Sequence, residues 1–278
     1  MTELPRRTIE DLIARYENEP ELKDIYVEGA FDQEILTGCL REAGIDDRVV
    51  YWIDSVDIPV ELLKKHHLSE GMKQRVIALA RELSAVGSSH RCVVDRDFDH
   101  WIGAIENTPG LIWTEYSALE LYFFKEDVLK DILIVAAKAR INDWNTFTDS
   151  LIHALKTLFA IRLTALQLQW SIDWLTPDRC LQFSNSTIVF DRVVFIERLL
   201  QKNSKIADLV AFNSKYDEIQ KTLVGDHRLF IHGHDFVEML AWSVGKSSQL
   251  KQFARSDSIQ RLFVVLLQKA DGLLDLAV

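Results

Sequence analysis

Lys23-Asp-Ile-Tyr-Val-Glu-Gly-Ala-Phe-Asp32 is a short apolar run, rich in β-branched and aromatic residues, that stops abruptly at a carboxylate. Arg91-Cys-Val-Val-Asp-Arg-Asp-Phe-Asp99 repeats the pattern. Both read as buried parallel strands with chemistry at their carboxyl ends. Glu28 closes the first run, and Asp95 and Asp97 close the second. Side chains two apart on an extended segment face the same way, which predicts that Asp95 and Asp97 point together. Open α/β sheets bind ligands outside the carboxyl ends of their strands, so these acids are predicted to share one crevice. Crowded carboxylates repel unless a cation neutralises them, and oxygen donors suit a hard ion, Mg²⁺ or Mn²⁺.

Working outward, the spacing of Ile9, Leu12, Ile13 and Tyr16 predicts a leading helix over 6–18 with Thr8 as its cap. A second helix is predicted over 30–43, ended by Gly44, then a strand over 49–53 and a helix over 72–86. Residues 110–114 read as a fourth strand, and Ser117 opens a helical turn bearing Glu120. Strand and helix alternating in this way predict a parallel sheet flanked by helices, an α/β fold. Beyond Lys125 the pattern becomes long amphipathic segments over 126–139, 144–169, 191–201 and 206–223, with little strand signal. The predicted organisation is a metal-binding sheet domain over 1–124 and a mostly helical region over 125–278. Residues 229–232 are a candidate strand by which 226–245 returns to the sheet, with Asp235 capping a helix over 236–244 and a last helix over 256–274.

At 278 residues and 48% apolar composition the chain can bury one large core or two smaller ones. No apolar run is long enough for a membrane span, and Met-Thr-Glu-Leu-Pro-Arg-Arg7 lacks the apolar core of a leader, so a cytoplasmic protein with no membrane contact is expected. Cys39, Cys92 and Cys180 are scattered without ligand spacing and read as reduced core residues. A formal charge of −10 argues against nucleic-acid binding by electrostatics alone but not against a metal-dependent nuclease, whose ions supply part of the positive field. Lys64 and Lys65, in Lys-Lys-His-His67, are the compact basic cluster near the sheet; they read either as a phosphate contact for substrate or as a solvated helix end.

A strand ending in Glu28-Gly29 with Asp32 four positions after the glutamate, then Val93-Val-Asp-Arg-Asp97 at the end of a third strand, resembles the TOPRIM domain, a metal-binding module of topoisomerases, primases and nucleases. Trp113-Thr-Glu-Tyr-Ser-Ala-Leu-Glu-Leu-Tyr-Phe-Phe124 and His232-Gly-His-Asp-Phe-Val-Glu-Met-Leu240 are similar to segments of the TOPRIM-like nucleases of bacterial anti-phage defence, in particular the AriB effectors of PARIS systems. The motifs cover about the first 125 residues. The resemblance implies a toxic endoribonuclease that cuts tRNA after release from an ABC-type ATPase partner, the AriA-like sensor, and that acts as a homodimer. It implies one or two Mg²⁺ or Mn²⁺ ions held by Glu28, Asp95, Asp97 and Glu120, with Asp32 or Asp99 as outer ligands. Where the family tends to have lysine after the late glycine, this chain has His234. Either His232 or His234 is a candidate proton shuttle or phosphate contact. Trp101 reads as a stacking residue or a core tryptophan.

Two other functions stay open: a non-catalytic, metal-loaded docking subunit of the ATPase, and a DNA-cleaving TOPRIM nuclease. A full set of acids favours an enzyme.

Overall fold

A computed structural model describes residues 6–86 and 89–278. The expectation that no leader opens the chain falls largely on residues 1–5, outside that set. The alternation of strand and helix is realised as α1 (Ile9–Asn18), β1 (Ile25–Val27), α2 (Ala30–Glu42), β2 (Val50–Trp52), α3 (Val60–Lys65), α4 (Met72–Leu83), β3 (Arg91–Val94), α5 (Asp99–Ile102) and β4 (Leu111–Trp113). The strands form one sheet in the order β2-β1-β3-β4, parallel throughout. Tyr26 at the centre of β1 pairs with Tyr51 on one side and Cys92 on the other. The chain steps from β1 out to β2 and then crosses to the opposite flank of β1 for β3 and β4. The topological switch point therefore lies between β1 and β3, where crossovers diverge and leave a crevice.

Local signals explain the helices. Thr8 Oγ1 accepts the Asp11 N–H at 3.1 Å while Asp11 Oδ2 accepts the Thr8 N–H at 3.2 Å, a reciprocal capping box that starts α1. At the other end of α2, Gly44 takes φ +69°, and the Ile45 N–H reaches the Leu40 carbonyl at 2.9 Å, a Schellman ending that glycine permits. On one face of the sheet, Tyr26, Cys92 and Val94 share a core with Leu12 and Tyr16 of α1 and Val76, Leu79 and Leu83 of α4. Ile25 and Val27 alternate to the other face and are equally buried, with α2 packed there. The first core encloses an acid: Asp24 Oδ2 accepts the Tyr16 hydroxyl at 3.0 Å, Arg15 lies 3.4 Å from the same oxygen, and Tyr16 and Tyr26 share a 2.6 Å hydroxyl contact.

Beyond β4 the chain is mainly helical. It forms α6 (Glu126–Lys130), a π-helical turn at Asp131–Ala136, α7 (Trp144–Gln167), β5 (Leu181–Ser184), β6 (Thr187–Phe190), α8 (Arg192–Lys202), α9 (Leu209–Thr222), α10 (Gly233–Ser247), α11 (Ser256–Val265) and α12 (Leu273–Ala277). Three expectations change here. The β5–β6 antiparallel hairpin turns at Asn185 and Ser186, both at positive φ, the geometry that matches strand twist. No strand forms at 229–232, because the Leu229 carbonyl accepts the Trp101 indole N–H at 3.1 Å and the Ile231 carbonyl accepts the Ser117 hydroxyl. The last helix expected over 256–274 ends at Val265, and the short turn Leu267–Lys269 and Gly272, at φ +87°, lead into a separate α12.

The chain divides into two compact units. A sheet unit takes the described residues up to Arg96, Ile105–Glu115 and Val264–Val278; a helical unit takes Asp97–Ala104 and Tyr116–Phe263. In the sheet unit α12 and the short turn Leu267–Lys269 pack on α2. All three cysteines are unbridged, Cys92 and Cys180 buried and Cys39 partly so. No helix among the described residues is long and apolar enough to cross a membrane.

Candidate functional site

In the sheet unit the switch point brings Glu28 and Asp95 together. Glu28 follows the last residue of β1, Asp95 follows the last of β3, and Glu28 Oε1 accepts the Asp95 backbone N–H at 2.8 Å. The next N–H, of Arg96, is held by Thr114 Oγ1 at 3.0 Å just past β4. Asp32 sits in the first turn of α2, and its Oδ2 accepts the Gly29 N–H at 2.9 Å, so it holds the helix start directly after Glu28. Lys65 is tied to Glu82 Oε1 at 2.8 Å, which leans toward the helix-end reading; Lys64 beside it is exposed.

The alternation argument for Asp95 and Asp97 does not hold. β3 stops at Val94, and Asp97 turns to φ +42°, a left-handed conformation in which its N–H donates to the Ser117 carbonyl at 2.6 Å. The two acids therefore do not share an extended segment.

Within the helical unit a second group forms around Asp97. Glu120 lies in a 3₁₀ turn, Leu119–Phe123, and is only 9% exposed, which excludes the reading of an exposed helix residue. Burial pushes its pKa up, the Asp97 charge pushes the same way, and His234 opposes them. Gly233, the first residue of α10, lies so close that a Cβ there would stand 2.5 Å from Glu120 Oε2 and 2.7 Å from Ala118 Cβ. A buried carboxylate thus rests against a helix N-terminus, where backbone N–H groups and the helix dipole favour negative charge.

His232 caps that helix from an extended conformation; its ring stacks with Phe98 at 5.7 Å, its Nδ1 is buried without a partner, and burial lowers its pKa. His234 is exposed, its ring 6.3 Å from that of His232. Asp235 does not cap α10 as expected. It is buried in the first turn and clamped by Arg162 of α7 through Nε–Oδ2 at 2.8 Å and Nη2–Oδ1 at 2.7 Å, while the guanidinium stacks on Trp174 at 3.8 Å. Arg162 was missed by sequence reading, although it is the one charge in Leu158-Phe-Ala-Ile-Arg-Leu-Thr-Ala-Leu166, a signal that something must pair with it. Trp101 donates its indole N–H into the fold and packs edge-on to Phe159, which fits a core tryptophan. Asp99 is the first residue of α5, after Phe98 at the N-cap position.

Among the described residues no three His, Cys, Asp or Glu side chains form a group that could hold a metal ion. The donor chemistry nevertheless fits a hard ion. Mg²⁺ commonly takes one or two protein carboxylates and completes its shell with water and substrate phosphate, and Glu28 with Asp95 supply oxygens at one crevice. No family model matches the chain, and no curated protein matches it.

Proposed function

We propose that the chain is a Mg²⁺-dependent TOPRIM-type nuclease: an endoribonuclease that cleaves tRNA as the toxic effector of a bacterial anti-phage abortive-infection system. The observation that supports this reading is Glu28 at the end of β1, hydrogen-bonded to the backbone of Asp95 at the end of β3, at the switch point of a four-stranded parallel sheet. In this reading Glu28 and Asp95 are inner donors to the ion. Asp32, at the start of α2 directly after Glu28, serves as an outer ligand. The ion, when bound, supplies positive charge against the negative charge that develops on the phosphodiester. Glu28, fixed by the Asp95 N–H, is the general base toward water. The setting that goes with this reading is cytoplasmic, with restraint by an ABC-type ATPase sensor subunit and a homodimer as the active species.

The test is induction of the wild type and Glu28→Ala, each without any partner. The expected outcome is growth arrest with discrete tRNA fragments for the wild type, and neither for the variant, whose circular dichroism is unchanged. Broken DNA with intact tRNA would move the substrate to DNA. Harmless wild-type protein with intact RNA and DNA, even with the ATPase and its trigger present, would overturn the enzyme reading in favour of a docking subunit.

A further inference from the structure

The sheet unit holds a second feature, along the flank of α2 beside β2. A pocket of about 500 Å³ opens beside the edge strand β2, lined by Gln33, Thr37, Leu40 and Arg41 of α2 together with Ile45, Arg48, Val49 and Val50. The pocket runs along α2 from Gln33 to Arg41 and shares no lining residue with the Glu28–Asp95 pair. Arg48 sets its character. The side chain is only 13% exposed, its Nε is buried with no hydrogen-bond partner, and its ion-pair contact to Asp47 Oδ1 is long at 3.9 Å. Asp47 is engaged elsewhere: its other oxygen takes the Lys23 ammonium. A guanidinium presents five donors in a rigid fork that matches a phosphate, and leaving one buried and poorly paired is costly.

Two neighbours add to the positive field. Arg41 lines the same pocket, and the charge of Arg48 helps burial to lower the pKa of Arg91. Asp46 at the rim is the one acid on the wall, and it is exposed. The other walls are aliphatic, from Leu40, Ile45, Val49 and Val50, with an amide and a hydroxyl from Gln33 and Thr37. Gln33 is already oriented, since its Nε2 donates to the Val50 carbonyl at 2.8 Å.

We propose that this pocket binds a phosphate monoester with an apolar body, of the size of a nucleoside monophosphate, its phosphate on Arg48 and Arg41 and its base against the aliphatic wall. The volume falls within the range of small-molecule sites. This site is separate from the candidate active site and does not depend on the nuclease reading.

Isothermal titration of the full chain with adenosine monophosphate, inorganic phosphate and adenosine tests it. The monophosphate is expected to bind saturably, phosphate more weakly and adenosine weakest. Arg48→Gln should lower the monophosphate affinity about tenfold or more, the loss of a charge-assisted pair. Thr37→Glu, at an exposed helix position, brings negative charge to the pocket without touching the core and should weaken binding likewise, which keeps the test sound if the arginine variant folds poorly. Glu28→Ala should bind as the wild type does, so failure of this site and failure of the nuclease reading are distinguishable. No saturable binding at millimolar monophosphate, or undiminished binding by both Arg48→Gln and Thr37→Glu, would overturn the proposal. Phosphate binding as tightly as the monophosphate would remove the nucleoside from it.

Discussion

Replacing Gly233 by alanine sets two opposed effects against each other. Alanine is the better helix residue, a gain of roughly 0.5–1 kcal/mol over glycine. Its methyl, however, would enter 2.5 Å from Glu120 Oε2 and 2.7 Å from Ala118 Cβ, well inside contact distance. Glu120 cannot swing out to solvent cheaply, being 9% exposed, and Ala118 is fixed in the buried turn before it. Overpacking of this kind costs about 1–3 kcal/mol, so the steric term outweighs the propensity gain and the expected net loss is about 1–2 kcal/mol. Urea unfolding of Gly233→Ala measures it as a lower midpoint with an unchanged slope. A double-mutant cycle identifies the cause: in a Glu120→Ala background the same substitution should cost at least about 1 kcal/mol less, because the blocking carboxylate is gone. A Gly233→Ala protein within about 0.5 kcal/mol of wild type, or one equally damaged in both backgrounds, would refute the argument.

Tyr16→Phe removes a hydroxyl that serves both Asp24 and Tyr26 in the sheet-unit core, and thermal unfolding should register a loss of about 1–3 kcal/mol. Glu106 is held below the ordinary glutamate pKa chiefly by its hydrogen bonds from Arg81, so the folded state binds fewer protons than the unfolded. Its contribution is present above the ordinary glutamate range and is lost as the pH falls through the lowered pKa. Glu106→Gln should therefore be less stable than wild type at neutral pH, the gap closing below about pH 4 in an unfolding series; a gap constant with pH would contradict the assignment. Arg162→Met strands the buried Asp235 carboxylate and should cost about 3 kcal/mol in urea, toward the lower end for a buried pair because the arginine is partly exposed. Pairing it with Asp235→Leu should recover part of that loss.

The sheet was legible because its signals are local. Tyr26-Val27 and Val93-Val94 are apolar on both faces, Thr8 with Asp11 announces a helix start, and Gly44 marks a helix end. The hairpin was not, because Leu181-Gln-Phe-Ser and Thr187-Ile-Val-Phe are four-residue strands around an Asn-Ser turn, too short to stand out from the helices that flank them. Leu229-Phe-Ile231 has strand-like composition, yet the Leu229 carbonyl goes to Trp101 and the Ile231 carbonyl to Ser117, partners more than a hundred residues away. The same limit applies to the candidate site. The sequence names Glu28, Asp95, Asp97 and Glu120 as acids, but the left-handed turn at Asp97 and the burial of Glu120 depend on Ser117 and Gly233, which no periodicity reveals.

Those two features, with Gly233, bear on whether the acids are incidental. Asp97 at φ +42° spends about 1 kcal/mol or more on a conformation that glycine adopts freely. Glu120 keeps a carboxyl where burial and the Asp97 charge both oppose ionisation, although an apolar residue would cost less in that turn. Gly233 forgoes helix propensity so that the carboxyl can fit. The first two costs are each removable by one substitution, and stability alone would favour that; the third persists only as long as the Glu120 carboxyl does. All three converge on two carboxylates in the helical unit, and one of these, Asp97, lies two residues along the chain from the acid that Glu28 contacts at the switch point of the sheet. Local rules broken together around the same acids are the pattern expected where function rather than folding chose the residues.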